Sequence, residues 1–442
     1  MAFWDFLRSK NKKALSGGVG GSALVSQYMQ GNRPPPRGSD DILTGYKSLP
    51  RLRGVVDRIA KSVGTTKWRV YRIPRAQRLE RMADIRSKAP TERTRFIKGL
   101  ADGSELEQIH SHPMLDVLNA PNPRLTYRQI RETAQIHLDL VGETFMVVER
   151  DDRGIPQELW PIPPNWVTKL PENGDLNYEY RKNGVIERVS SENMIWMKEV
   201  DPADPYGRGC GVGLTLNNEL DADEYAARTV AYRFFNQATP EMIISMLGLS
   251  RDSIKAAKDS WLSQNQGYHN TAIPHFTNAD VKVEKLDPSF VELDLVALRK
   301  SLADAIREAY STPPEIMGDI KNSNRSTIDA AAFLFSMFSL VPRLDLWEDH
   351  LNLRLAPMFG PDICTLYESP VPEDRAFIQA MMGTHSYAFT VDEIRKAVGY
   401  APSESGIGDK HPLQPGVLLV DPAEASAVSA EPYTNEEDPE EG

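Results

Sequence analysis

Residues 289–327 read SFVELDLVALRKSLADAIREAYSTPPEIMGDIKNSNRST, and their pattern sets the architecture. Phe290, Leu293 or Asp294, Ala297, Leu298, Leu302, Ala305, Ile306 and Ala309 recur at helical spacing, which predicts one long helix ended by Pro313-Pro314. The stretch after it, GDIKNSNRST (318–327), is a polar loop. A further helical segment then runs from Ile328 to Leu355, with Leu334, Phe338, Val341, Leu344, Trp347, Leu351 and Leu355 on its apolar side and a kink expected at Pro342. Upstream, Leu216, Leu220, Ala227, Val230 or Ala231, and Phe234 predict a helix of about 20 residues, about 30 Å long, that stops before Pro240. Between the two long helices lies a small α/β insert, residues 238–288. Its predicted parts are a strand at Met242–Met246, a Ser250-capped helix to Trp261, and strands near 271–276 and 280–286.

Working outward toward the N-terminus, residues 46–210 read as α+β. Leu52, Val55, Val56, Ile59 and Val63 mark one face of a helix, and a strand follows at Trp68–Ile73. Residues 75–107 are expected to be a loose, partly helical insertion. A helix is predicted from Tyr127 to Leu140, then a hairpin pairing Thr144–Glu149 with Pro156–Ile162, then a second hairpin turning at Asn183-Gly184, then a strand in NMIWMKEV. Toward the C-terminus come a strand in DICTLYE and helices from about Glu373 and after Thr390. Residues 1–45, rich in Gly, Ser and Pro, read as a flexible arm, and 413–442 as an acidic disordered tail. The fold class is α+β.

The chain has 442 residues, 40% of them hydrophobic, with seven tryptophans, enough for a substantial core. No apolar run approaches the roughly 18 to 20 residues of a membrane span, and the first residues lack a secretory h-region, so a cytoplasmic compartment is expected. Two cysteines far apart, Cys210 and Cys364, give no disulfide framework. Charge is uneven: residues 1–100 hold 22 Lys and Arg against 7 Asp and Glu, 101–420 hold 29 against 47, and 421–442 hold none against 8. An acidic body disfavours tight DNA binding.

Chemistry is sparse. Neither glycine cluster is followed by the Lys-Ser or Lys-Thr of a phosphate loop, and GRGCGVG (207–213) lacks dinucleotide-binding spacing, so it reads as a turn releasing a helix. His110 and His112 have no third ligand in view, and Ser62, Ser245, Ser336 and Cys210 lack a nucleophile context. The acidic pairs Asp151/Asp152 and Asp221/Asp223 read as solvated charge. No catalytic residue, metal or cofactor is expected. Lys321, Asn322, Asn324 and Arg325, in the loop between helices, are the candidate site, because their cations and amides suit non-specific phosphate contact.

In their order along the chain, RLRGVVDRIAKSVGTTKWRVY (51–71), HPMLDVLNAPNP (112–123), LVGETFMVVERDDRGIPQELWPIPP (140–164), AYRFFNQATPEMII (231–244), IREAYSTPPEIMGDIKNSN (306–324) and TVDEIRKAVGYAP (390–402) resemble the portal protein, or head-tail connector, of tailed bacteriophages. The resemblance implies a homo-oligomeric ring of about twelve subunits around a DNA channel. It implies a wing (46–210 and 328–372), stem helices (211–237 and 289–312), a clip (238–288), a tunnel loop (313–327) at the channel constriction and a crown (373–412). It further implies a ring at one capsid vertex through which double-stranded DNA is packaged and ejected. Its partners would be the terminase large subunit, a head-tail adaptor and the major capsid or scaffold protein, with no membrane. Its place would be the virion, after assembly in the host cytoplasm. The alternatives are a metal-dependent phage hydrolase or nuclease, or another ring-forming tail or baseplate protein.

Overall fold

A computed structural model describes residues 38–236, 242–246, 281–285, 295–320, 324–372 and 375–411, some positions within these ranges excepted, together with residues 252, 255, 256 and 259. The described residues form two units, one ending at Val371 and one starting at Pro372.

In the first unit, α1 (Ser39–Gly45) precedes α2 (Pro50–Thr65). Pro50 starts α2 with its φ already helical, and Leu52, Val55, Val56, Ile59 and Val63 all lie buried on one face. The sequence expectation of an unpacked arm to residue 45 needs correction: Ile42 in α1 is fully buried in the main core. Strand β1 (Trp68–Arg72) follows, then α3 (Arg78–Ser87) and α4 (Pro90–Asp102). The expected loose insertion at 75–107 is therefore a packed helix pair, with Met82, Ile85, Ile97 and Leu106 forming a second small core against Tyr71, Cys364 and Leu366.

After β2 (Glu107–Ile109) and α5 (Pro113–Asn119), α6 (Tyr127–Val141) begins with a Thr126/Gln129 capping box and ends at Gly142, whose φ of 80° is the left-handed cap that glycine tolerates. It packs on α2. The expected hairpin forms, pairing β3 (Glu143–Arg150) with β4 (Pro156–Ile162), and β8 (Met194–Lys198) pairs with the other edge of β3. A second sheet holds β5 (Val167–Lys169), β6 (Asn177–Lys182) and β7 (Val185–Ser190). Its β6–β7 turn has Asn183 at φ 49° and Gly184 at φ 83°, the two positive angles a type I′ turn demands.

The long helices appear where their apolar spacing places them. A short α7 (Val212–Thr215) leads into α8 (Asn217–Asn236), and α9 (Leu295–Ala309) returns beside it. Between them, strands β9 (Met242–Met246) and β10 (Val281–Lys285) pair antiparallel; of the expected helix after Ser250, the described residues 252, 255, 256 and 259 are helical and exposed, and the strand near 271–276 lies outside the described residues. Helix α10 (Arg325–Met358) carries two π-helical stretches, Phe335–Leu340 and Leu351–Leu355. Each contains the residue four before a proline, Phe338 before Pro342 and Leu353 before Pro357. A proline clashes with that carbonyl and offers it no N–H, so the wider register accommodates the ring and the expected distortion takes this form.

Contrary to the composition reading, α10 is long and apolar enough to cross a membrane. Its Arg343 and Glu348, however, pair inside the fold with Asp139 and Arg93, as the core helix of a globular unit requires. Strand β11 (Ile363–Tyr367), wholly buried, closes the unit by pairing with β1. The second unit contains α11 (Arg375–Thr384) and α12 (Val391–Val398).

Candidate functional site

The loop between α9 and α10 begins in a turn tied to the core. Past Ala309 the chain turns at Ser311, φ 52°, buries Thr312, makes a 3-10 turn at Pro314–Met317 and reverses at Gly318, φ 91°. Lys321 and Asn322 lie outside the described residues. Asn324 is the N-cap of α10: its Oδ1 accepts from the Thr327 N–H at 2.9 Å, while the Thr327 hydroxyl donates to the Asn324 carbonyl at 2.8 Å. Asn324 thus sets where the helix begins, and Arg325, the first helical residue, stands exposed beside it. Asn324 and Arg325 are adjacent at the foot of the loop.

Below the loop, one buried carboxylate gathers three helices. Asp139, on the apolar face of α6 and fully buried, accepts from Arg343 Nε of α10 at 2.7 Å and from Gln135 Nε2 at 3.1 Å. Its backbone carbonyl accepts the Tyr310 hydroxyl, at the end of α9, at 2.9 Å. The Tyr310 carbonyl in turn accepts Ser339 Oγ at 3.2 Å, and Arg343 Nη1 donates to the Ser339 carbonyl at 2.7 Å. Trp347 Nε1 completes the set by donating to Gln135 Oε1 at 2.9 Å. Tyr310 thus ties the start of the loop to α6, while Ser339 and Arg343 tie the middle of α10 to the same place. Burial pushes the Asp139 carboxyl upward, and the Arg343 guanidinium opposes that shift. Glu199, just past β8, is raised to about 7 by burial and by the charge of Asp139, with Arg343 working against both.

A second clamp ties α8 and α9 to α2. Asp223 of α8 pairs with Arg299 of α9 at 3.2 Å and with Arg51 of α2 at 3.5 Å, and Arg51 Nη1 also donates to the Arg299 carbonyl. Asp223, read from sequence as solvated charge, is only 13% exposed at its side chain and is a structural tie, because two arginines converge on it.

The glycine cluster at 207–213 also finds its reason. A Cβ on Gly211 would lie 2.3 Å from the Gly142 nitrogen, and one on Gly213 would lie 2.5 Å from the Leu140 carbonyl oxygen. Backbone crosses backbone here, where the chain leaves the sheets for α8. Glu143 anchors the crossing: it accepts from Arg208 Nε at 2.6 Å, Trp196 Nε1 at 3.1 Å and the Gly209 N–H at 3.3 Å.

His112 is occupied as the cap of α5, accepting from the Met114 N–H at 3.2 Å, and no group of three potential metal ligands occurs among the described residues. Sequence reasoning missed Asp139, Arg343, Tyr310 and Glu143, which meet across 171 to 204 residues of chain or from one strand to a distant loop. The readable signal was Asp139 itself, a carboxylate between Leu138 and Leu140 on the buried side of a helix.

The sequence model of the family described as "Phage portal protein" matches residues 50–399. Among curated proteins, the chain is 26% identical over 209 residues to the probable portal protein of Streptomyces phage phiC31, a match that covers 45% of this chain and 46% of that protein. The alignment therefore spans about half the length of that relative. Among solved structures, the fold is similar to a chain in the neck of a native gene transfer agent particle computed with C12 symmetry. The TM-score is 0.54 at 18% identity, covering 86% of this chain and 99% of that one. It is also similar to an HK97 family phage portal protein from Corynebacterium diphtheriae, with TM-score 0.50 and 13% identity over 76% of this chain and 97% of that one.

Proposed function

The chain belongs to the phage portal protein family, and from that premise we propose that it assembles into a closed homo-oligomeric ring at one capsid vertex, through which double-stranded DNA enters during packaging and leaves during ejection. The observation that carries this reading is the turn between α9 and α10, whose start is tied to Asp139 of α6 by Tyr310 and whose far side opens into α10 at the exposed Arg325. A loop tied to the core at its base keeps its place beside a moving polymer, and one with few cations grips phosphates weakly, which suits sliding. The neck of the gene transfer agent particle, a similar fold, was computed with C12 symmetry, which supports a ring of about twelve copies here.

In this reading Lys321, Asn322, Asn324 and Arg325 meet DNA transiently, with Asn324 contributing mainly by starting α10. The terminase large subunit supplies the packaging motor in trans, a head-tail adaptor and the capsid or scaffold protein bind the ring, and assembly takes place in the host cytoplasm before the ring becomes part of the virion. The chain itself carries out no chemical step. Electron microscopy and mass measurement of the purified protein test the core of the proposal: annular particles are expected, and a stable monomer under assembly conditions overturns it.

A further inference from the structure

Arg131 of α6 departs from the rule that the other buried charges follow. Arg93, Asp139, Glu143 and Glu348 are each paired with an opposite charge inside the fold. Arg131 is only 7% exposed, yet among the described residues no carboxylate pairs with it. Its Nη1 donates to the Thr66 carbonyl at 3.1 Å, and its guanidinium lies over two rings, 5.6 Å from the centroid of Trp68 and 5.2 Å from that of Tyr127. The indole N–H of Trp68 is itself buried and, among the described residues, has no acceptor. Burial lowers the Arg131 guanidinium to about 10, with only Tyr127 working against that shift. A cation without a counter-ion and an N–H without an acceptor meet here, so both lack the same thing, an anionic acceptor.

We propose that Arg131 and Trp68 form a docking site for the carboxylate of an acidic peptide segment of a partner protein. The free edge of a guanidinium matches a planar carboxylate in a two-point contact, and the Trp68 N–H is a further donor to the same group. The burial of Arg131 favours a single acidic side chain over DNA, whose phosphates lie along a broad convex surface and are met by exposed cations. The surroundings attract an anion: residues 124–131 hold Arg124, Arg128 and Arg131 and no acid, and Lys67 stands exposed beside Thr66. Glu132, the next residue, is paired with Arg128 at 2.6 Å. Tyr127, 39% exposed, adds an aromatic flank, and buried arginine with tryptophan and tyrosine is the composition in which binding energy concentrates at protein contacts. The site lies within one chain and does not depend on the ring.

The test uses the full-length protein and a fluorescein-labelled hexaglutamate peptide, with binding read by fluorescence anisotropy and folding by circular dichroism and thermal melting. The parent is expected to bind saturably and to melt at a higher temperature with the peptide present. Arg131→Gln is expected to keep the fold and bind at least about ten-fold more weakly, and Trp68→Phe about five-fold more weakly. Arg124→Gln with Arg128→Gln, which removes exposed charge only, is expected to weaken binding by about two-fold or less. Parental affinity in Arg131→Gln overturns the inference, as does an equal loss in the Arg124 and Arg128 double variant, or a parent that shows no saturable binding. Inorganic phosphate or a short DNA duplex that displaces the peptide at equal concentration also overturns it, because the site is then one for phosphate. Should Arg131→Gln misfold, Trp68→Phe decides: weaker binding supports the site, and parental affinity overturns it.

Discussion

Gly211→Ala is a sharp test of the crossing that joins the sheets to α8. The new Cβ would sit 2.3 Å from the Gly142 nitrogen, 2.7 Å from the Val141 carbonyl carbon and 2.8 Å from the Val141 nitrogen. These are backbone atoms at the C-terminus of α6, so no side-chain rotation relieves the contact. An ordinary carbon–nitrogen contact needs about 1 Å more, and separating the segments by that much strains the Glu143 bonds to Arg208 and to the Gly209 N–H. Overpacking of this kind costs about 3 kcal/mol, and loosening the Glu143–Arg208 pair, whose arginine is partly exposed, would add to it. The matched control is Gly99→Ala in α4, where a Cβ meets nothing within 4 Å. A helical glycine replaced by alanine without a clash gains about 0.5 to 1 kcal/mol. Chemical denaturation of both variants should therefore move the unfolding midpoint in opposite directions. The reasoning is refuted if Gly211→Ala unfolds at the parent's midpoint, or if Gly99→Ala loses as much as Gly211→Ala.

Asp139→Asn should cost about 3 to 5 kcal/mol, because it leaves the Arg343 guanidinium buried without its counter-ion; an unfolding midpoint near the parent's would show that the network contributes little. Glu199 is raised to about 7 from an ordinary carboxylate value, so the folded state holds a proton that the unfolded state has released. Its stabilising contribution is complete below the unfolded pKa and fades as pH rises through 7, so Glu199→Gln should flatten the loss of stability between about pH 4.5 and 7, read from unfolding midpoints across that range. Lys321→Glu with Arg325→Glu should leave ring assembly intact and reduce DNA packaging or retention, most at low salt; packaging assays on assembled particles equal to the parent's would remove the loop from the DNA path.

The sequence disclosed what local rules govern. The α2 stripe, the Asn183-Gly184 turn and the two long helices with their intervening loop were legible because spacing and turn chemistry determine them. The α3–α4 pair was not, since Met82, Ile85 and Ile97 are too few among charged neighbours to make a visible period, and their burial depends on β11, far along the chain. The pairing of β1 with β11 has the same cause. At the site, Asn324 illustrates a rule that was available and outweighed: Asn-x-x-Thr before an apolar run is a helix-start pattern, and the structure uses it so.

The arrangement around Asp139 also constrains how α9 and α10 can move. Tyr310 ties the end of α9 to the Asp139 carbonyl, and Arg343 ties α10 to the Asp139 carboxylate, so one turn of α6 receives both. Swinging α9 relative to α10 would therefore break buried bonds, one of them charge-assisted, whereas the exposed first turn of α10 from Asn324 to Ala330 takes part in none of them. In the proposed ring that division would let the start of α10 yield while the end of α9 and the middle of α10 stay fixed to α6.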